Sequence, residues 1–160
     1  MTPKHRIDDF LDQKRFAFVG LSRRPNDFSR ALFREFIAKG WNPVPVNPEA
    51  VEIEGESCYA HVNDIQPPVD SALLMTSPQA TALVAGECVS AGMKRVWFFR
   101  GPGSGPLNQQ AVDACEAAGV SVIAGECPLM FLPHPVWIHR VHAFVKKIRG
   151  TYPSAEFRTS

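Results

Sequence analysis

The residues of this 160-residue chain best suited to holding a charged ligand stand together in one run, Gly20-Leu21-Ser22-Arg23-Arg24-Pro25-Asn26-Asp27-Phe28-Ser29. Gly20 permits a tight turn and a close backbone approach. Ser22 brings a hydroxyl that can donate to a phosphate oxygen, and the start of a following helix offers backbone N–H groups with a favourable dipole. Arg23, Arg24 and Arg30 add positive charge nearby. This is chemistry for holding an anion. The run is neither GxGxxG nor a Walker loop, because GK[ST] is missing, and as a bare pattern it also fits an ordinary strand-to-helix turn with exposed arginines. A second segment sharpens it. In Pro45-Val46-Asn47-Pro48 a short strand ends in a restrained turn, where a fold holding NAD presents an acidic residue to the ribose hydroxyls. Asn47 stands there instead, and Glu49 follows only after Pro48.

Other reactive side chains make weaker cases. Cys127, in Gly-Glu-Cys-Pro, falls just past a strand end, where a thiol could form a mixed disulfide or sense oxidation; a small buried hydrophobe is the plainer reading. Cys88 and Cys115 fall on expected helices as packing residues, and no CxxC pair suggests zinc. His139 and His142 have helical i, i+3 spacing without a companion ligand, and His61 has no recognisable base or nucleophile partner.

These loops need elements to position them, and strands alternate with helices along the chain. A helical lead-in over 7–13 precedes a compact apolar strand over 15–20. A helix over 28–39 repeats Phe28, Leu32, Phe33, Phe36 and Ile37 at helical spacing, with Asn26 or Asp27 as cap and Gly40 as stop. Short strand 42–47, with two prolines, leads into an acidic connection over 49–68. Strand 69–75, helix 78–91, strand 94–99, helix 107–118 and strand 120–124 follow. Such alternation predicts a Rossmann-like, doubly wound parallel sheet of about five strands with helices on both faces. Ligands in such sheets bind beyond the carboxyl ends of the strands, where the strand order reverses. That rim gathers loops 20–28, 46–50, 75–79 and 99–106.

An extra C-terminal helix over 134–149 carries Trp137, Val141, Phe144, Val145 and Ile148 on one face, a surface that a homodimer would cover. Residues 1–150 read as one domain and 151–160 as a frayed tail. The net charge of +1 provides no field for nucleic acid, and no run approaches the roughly 18 apolar residues of a membrane span. The polar start MTPKHRIDDFLDQKR and the scattered cysteines fit a reducing cytoplasm.

The blocks FVGLSRRPNDFS (18–29), GWNPVPVNP (40–48), GESCYAHVNDIQPPVD (55–70), RVWFFRG (95–101) and AAGVSVIAGECP (117–128) together resemble the small stand-alone CoA-binding proteins. These are related to the CoA-binding domain of the succinyl-CoA synthetase alpha subunit. The resemblance implies coenzyme A or an acyl-CoA as ligand. Gly20, Ser22, Pro25 and Ser29 would belong to the phosphate loop, and Val46, Asn47 and Pro48 would border adenine and ribose. Thr76, Ser77 and Pro78 would shape the adjoining wall, and Gly101 matches a family glycine. Phe99 stands where many relatives carry glutamine, and MTSPQAT replaces charged residues of their third loop, so the carry-over concerns the phosphate end. The synthetase's later domain, with its phosphorylated histidine, has no counterpart here, and its ligase activity is not carried over. The expectation is a binding protein without catalysis of its own. The alternatives are an enzyme using NAD(P) or CoA, and a redox-responsive regulator acting through Cys127.

Overall fold

A computed structural model describes residues 2–101 and 106–133. The elements run α1 (Lys4–Leu11), β1 (Arg15–Val19), α2 (Phe28–Ala38), β2 (Asn42–Val46), β3 (Glu52–Ile53), β4 (Glu56–Ser57), β5 (Ser71–Leu74), α3 (Pro78–Ser90), β6 (Arg95–Phe98), α4 (Gln109–Ala117) and β7 (Ser121–Ala124). Five strands form one sheet in the order β2-β1-β5-β6-β7, with every pairing parallel. This is the expected doubly wound arrangement. The chain goes from β1 outward to β2, then crosses back to β5 on the other side of β1. The strand order therefore reverses between β1 and β5.

Side chains alternate across a strand, so each strand feeds two cores. Phe16 and Phe18 of β1, Leu73 of β5, Trp97 of β6 and Ile123 of β7 share one layer with Ile7 and Phe10 of α1 and Leu32, Phe33 and Phe36 of α2. Ala17, Val19, Ala72, Leu74, Val96, Phe98 and Val122 face the other layer, with Ala85 and Cys88 of α3 and Ala111, Val112 and Cys115 of α4. The first layer is aromatic. Phe10 meets Trp97 edge-on at 5.2 Å between centroids, and Phe16 meets Phe36 at 4.9 Å. Trp97 is fully buried, and its Nε1 donates to the Glu126 carbonyl at 2.8 Å, so its one polar atom is satisfied.

The prolines of β2 fit an edge strand. Asn42 N–H donates to Lys14 on the β1 side, whereas Asn47 N–H donates outward to Tyr59. Pro43 and Pro45 share the outward parity of Asn47, so neither removes a donor from the ladder with β1. The acidic connection expected over 49–68 contains more structure than its composition suggested: the β3–β4 hairpin, a short 3-10 turn over Val62–Asp64, and a parallel bridge between Val46 and Tyr59. Asp27, one of the two cap candidates, caps α2 by accepting from Ser29 N–H. The expected C-terminal helix, its homodimer face, the frayed tail, and His139 and His142 lie outside the described residues. Among the described residues, no helix is long and apolar enough to cross a membrane.

Candidate functional site at the strand-order reversal

At the carboxyl ends of β1, β2 and β5 the surface opens into a cleft of about 1020 Å³. That lies at the top of the roughly 300–1,000 Å³ range of small-molecule sites, which suits a ligand of nucleotide size. Its floor is set by Gly20. The residue has φ 92°, and a β-carbon there would collide with the Met75 carbonyl at the end of β5. Only glycine lets β1 and β5 release their loops this close together, so one residue type decides where the cleft forms.

Residues 21–25 are tied from behind. Asn47 Nδ2 donates to Leu21 O at 2.9 Å, and Arg30 Nη1 donates to Ser22 O at 3.2 Å and Arg23 O at 3.1 Å. Arg34 Nη2 donates to Pro25 O at 3.3 Å. A trans peptide directs its C=O and N–H oppositely, so the hold on Ser22 O turns the Arg23 N–H away from Arg30. Ser22 N–H donates to Ser29 Oγ, and Arg24 N–H to Ser22 Oγ, both at 3.0 Å. The N–H groups of Leu21 and Arg23 have no acceptor among the described residues.

Arg30 is itself anchored. Its Nη2 lies 2.6 Å from Glu54 Oε2, and Arg34 Nη1 lies 2.7 Å from the same oxygen. Glu54 sits in the β3–β4 turn at φ 55°. Burial pushes its carboxyl up, but hydrogen bonds and charge from Arg30 and Arg34 outweigh this and hold it below the ordinary 4.5. The arginine expected to face a ligand therefore braces the loop from behind. Arg23 and Arg24 remain exposed, with loose contacts of 3.6 Å to Glu49 and Asp27.

The cleft brings together Gly20, Leu21, Ser22, Arg23, Arg24, Pro25 and Ser29 with Val46, Asn47, Pro48, Thr76 and Ser77. Leu21 borders the cleft but is itself wholly buried. Arg30, Pro78 and Gly101 stand off the wall. Pro78 opens α3 and accepts from Asn108 Nδ2, and Gly101 is buried beyond β6. Asn47 borders the cleft, but both ends of its amide are engaged: Nδ2 on Leu21 O and Oδ1 accepting from Glu49 N–H. Ser77 caps α3, and Thr81 Oγ1 bonds Thr76 Oγ1 at 2.5 Å.

The sequence reading missed part of the wall. Ala80, Leu83, Val84 and Glu87 of α3 line it, with Ala60, His61 and Arg100. Their i, i+3, i+4, i+7 spacing was the available signal, weakened because α3 is apolar on more than one side. His61 does have a partner: its Nδ1 lies 3.3 Å from Glu87 Oε2. Cys127 is 5% exposed and packed in the aromatic layer.

A parallel sheet of order β2-β1-β5-β6-β7 with a glycine-floored cleft at its reversal point defines a doubly wound, Rossmann-like α/β protein. Residues 14–133 match the model of the CoA binding domain family, and the chain belongs to that family. It is 27% identical over 125 residues to the uncharacterized protein YneT of Bacillus subtilis, covering 78% of this chain and 90% of YneT. A conserved hypothetical protein from Pyrococcus furiosus superposes with a TM-score of 0.62 at 34% identity, covering 71% of this chain and 94% of that one. An acetyl-coenzyme A synthetase of the dinucleotide-forming type from Korarchaeum cryptofilum superposes with a TM-score of 0.60 at 26% identity. That match covers 70% of this chain but 26% of the synthetase.

Proposed function

We propose that the protein binds coenzyme A or an acyl-CoA in this cleft, without catalysis of its own. The observation that carries the reading is the loop after β1, whose carbonyls are held from behind while the N–H of the exposed Arg23 lacks an acceptor among the described residues. Such an arrangement suits the negative oxygens of a diphosphate. Arg23 and Arg24, exposed beside it, supply mobile counter-charge. Val46, Asn47 and Pro48 then border the adenosine, with Asn47 joining the first two loops. We infer a reducing cytoplasm as its compartment, where cysteine thiols stay unlinked.

The experiment is Ser22→Asp assayed for CoA binding. The new carboxylate keeps an oxygen that Arg24 N–H can reach, so the loop retains its turn, but it sets negative charge against the phosphates. Affinity falls about tenfold or more. Unchanged affinity in a folded variant contradicts the placement of the phosphates.

A further inference from the structure

Residues 50–59 stand off the cleft wall, yet one of them reaches the ligand loop through a single intermediary. Ile53 is buried in the aromatic layer and seats the β3–β4 hairpin beside α2. Glu54 and Gly55 form the two-residue turn of that hairpin, with φ 55° and 75°. The first position of such a turn favours asparagine, aspartate or glycine, so glutamate there carries a local cost. What it gains is Arg30. Nε and Nη2 of that guanidinium lie 2.7 and 2.6 Å from Glu54 Oε2, and with side chains 11% and 17% exposed the pair is little screened by solvent. A guanidinium is a rigid planar fork. Fixing one edge of it aims Nη1 at the Ser22 and Arg23 carbonyls, 3.2 and 3.1 Å away. The peptide between Ser22 and Arg23 is thereby set with its N–H turned away from Arg30.

We propose that Glu54 is a positioning residue for anion binding, acting through Arg30 on the loop that carries the ligand's phosphates. The inference rests on the coenzyme A reading of the cleft and adds a remote control to it. Charge alone predicts the opposite effect. Glu54 is an acid near a site for an anion, so its removal would leave Arg30 and Arg34 uncompensated and draw a phosphate more strongly. Positioning predicts weaker binding, because a freed Arg30 no longer holds the peptide and the ligand must order the loop itself. The linkage is reciprocal. A ligand that needs the held loop also favours the seated hairpin, which it does not touch.

The test is calorimetric titration of the full chain with CoA. Glu54→Ala lowers affinity about tenfold. Arg30→Lys, which keeps the charge but not the fork, lowers it similarly, and the two losses do not add in the double variant. Asp9→Asn, which removes a partner of Arg95 at the opposite rim, lowers thermal stability and leaves affinity unchanged, so destabilisation alone does not explain weaker binding. CoA also slows amide hydrogen exchange over residues 53–58 in wild type, and not in Arg30→Lys. Equal or tighter binding by folded Glu54→Ala overturns the positioning role and leaves coenzyme A binding standing. Should Glu54→Ala not fold, Arg30→Lys decides by the same measure. If wild type takes up no CoA, inorganic pyrophosphate is the probe. Pyrophosphate binding weakened in Glu54→Ala supports the positioning role and removes the coenzyme A reading, whereas no binding, or equal binding by the two proteins, removes both.

Discussion

Gly20 is the residue on which the cleft depends most directly. Its positive φ and the approach to the Met75 carbonyl exclude any side chain. Gly20→Ala is expected to cost about 3 kcal/mol, from left-handed backbone strain and displacement of the β5 loop. Chemical denaturation measures it, and a loss under about 0.5 kcal/mol would contradict the account. The same residue was legible in the sequence, because a glycine closing an apolar strand before a polar loop has few other uses. Arg30 was legible only as charge. Its role in bracing the loop depends on Glu54, which is remote in sequence, and no local pattern announces that pairing. The thiols sort by burial in the same manner. Burial raises Cys88 to about 12, and the nearby charges of Cys115 and Glu87 add to the shift. Cys115 is also pushed up by burial. Cys58, though also raised, is the one cysteine not fully buried. Brief alkylation of the native protein should therefore label Cys58 well before Cys88 or Cys115, as peptide mass spectrometry would reveal. Earlier labelling of Cys88 would contradict its placement in the core.

At the scale of elements, the β3–β4 hairpin couples an acidic turn to α2 and, through Arg30, to the ligand loop. The folded Glu54 carboxyl lies below its ordinary 4.5, so the native state binds fewer protons than the unfolded chain over that interval. The stabilisation is fully present above about 4.5 and is lost as pH falls through the lower folded value. Glu54→Gln should cost about 1–2 kcal/mol at neutral pH. It should also make the decline in thermal midpoint from about pH 5 to about pH 3 shallower than in wild type. Parallel pH profiles for the two proteins would remove the latch. The hairpin itself escaped the sequence, since two-residue strands carry too little alternation to be read and Glu49, Glu52, Glu54 and Glu56 resemble solvated loop. The five main strands and the helices α2, α3 and α4 were readable because each is a compact apolar run or a periodic face bounded by glycine, proline or a cap. Their ends differ by one or two residues where the chain leaves the ladder before the apolar run stops.

For the whole molecule, the strand order fixes the cleft where β1 and β5 diverge, and the sequence could place it only as a rim of four loops. The alternation predicted parallel strands; which strands lie side by side depends on crossovers that local residues do not encode. The far wall on α3 was hidden for the same reason, since Glu87 and His61 meet only once the sheet has closed between them. Membership of the CoA binding domain family and the bracing of the β1 loop converge on one central claim, that this cleft holds coenzyme A. The most direct measurement is calorimetric titration of purified, ligand-stripped protein with CoA, with NAD, NADP and ATP as competitors. The account predicts saturable binding of one CoA per chain that neither NAD nor NADP displaces at matched concentration. Heat from NAD or ATP with none from CoA would contradict it, leaving the fold as described and the ligand misassigned.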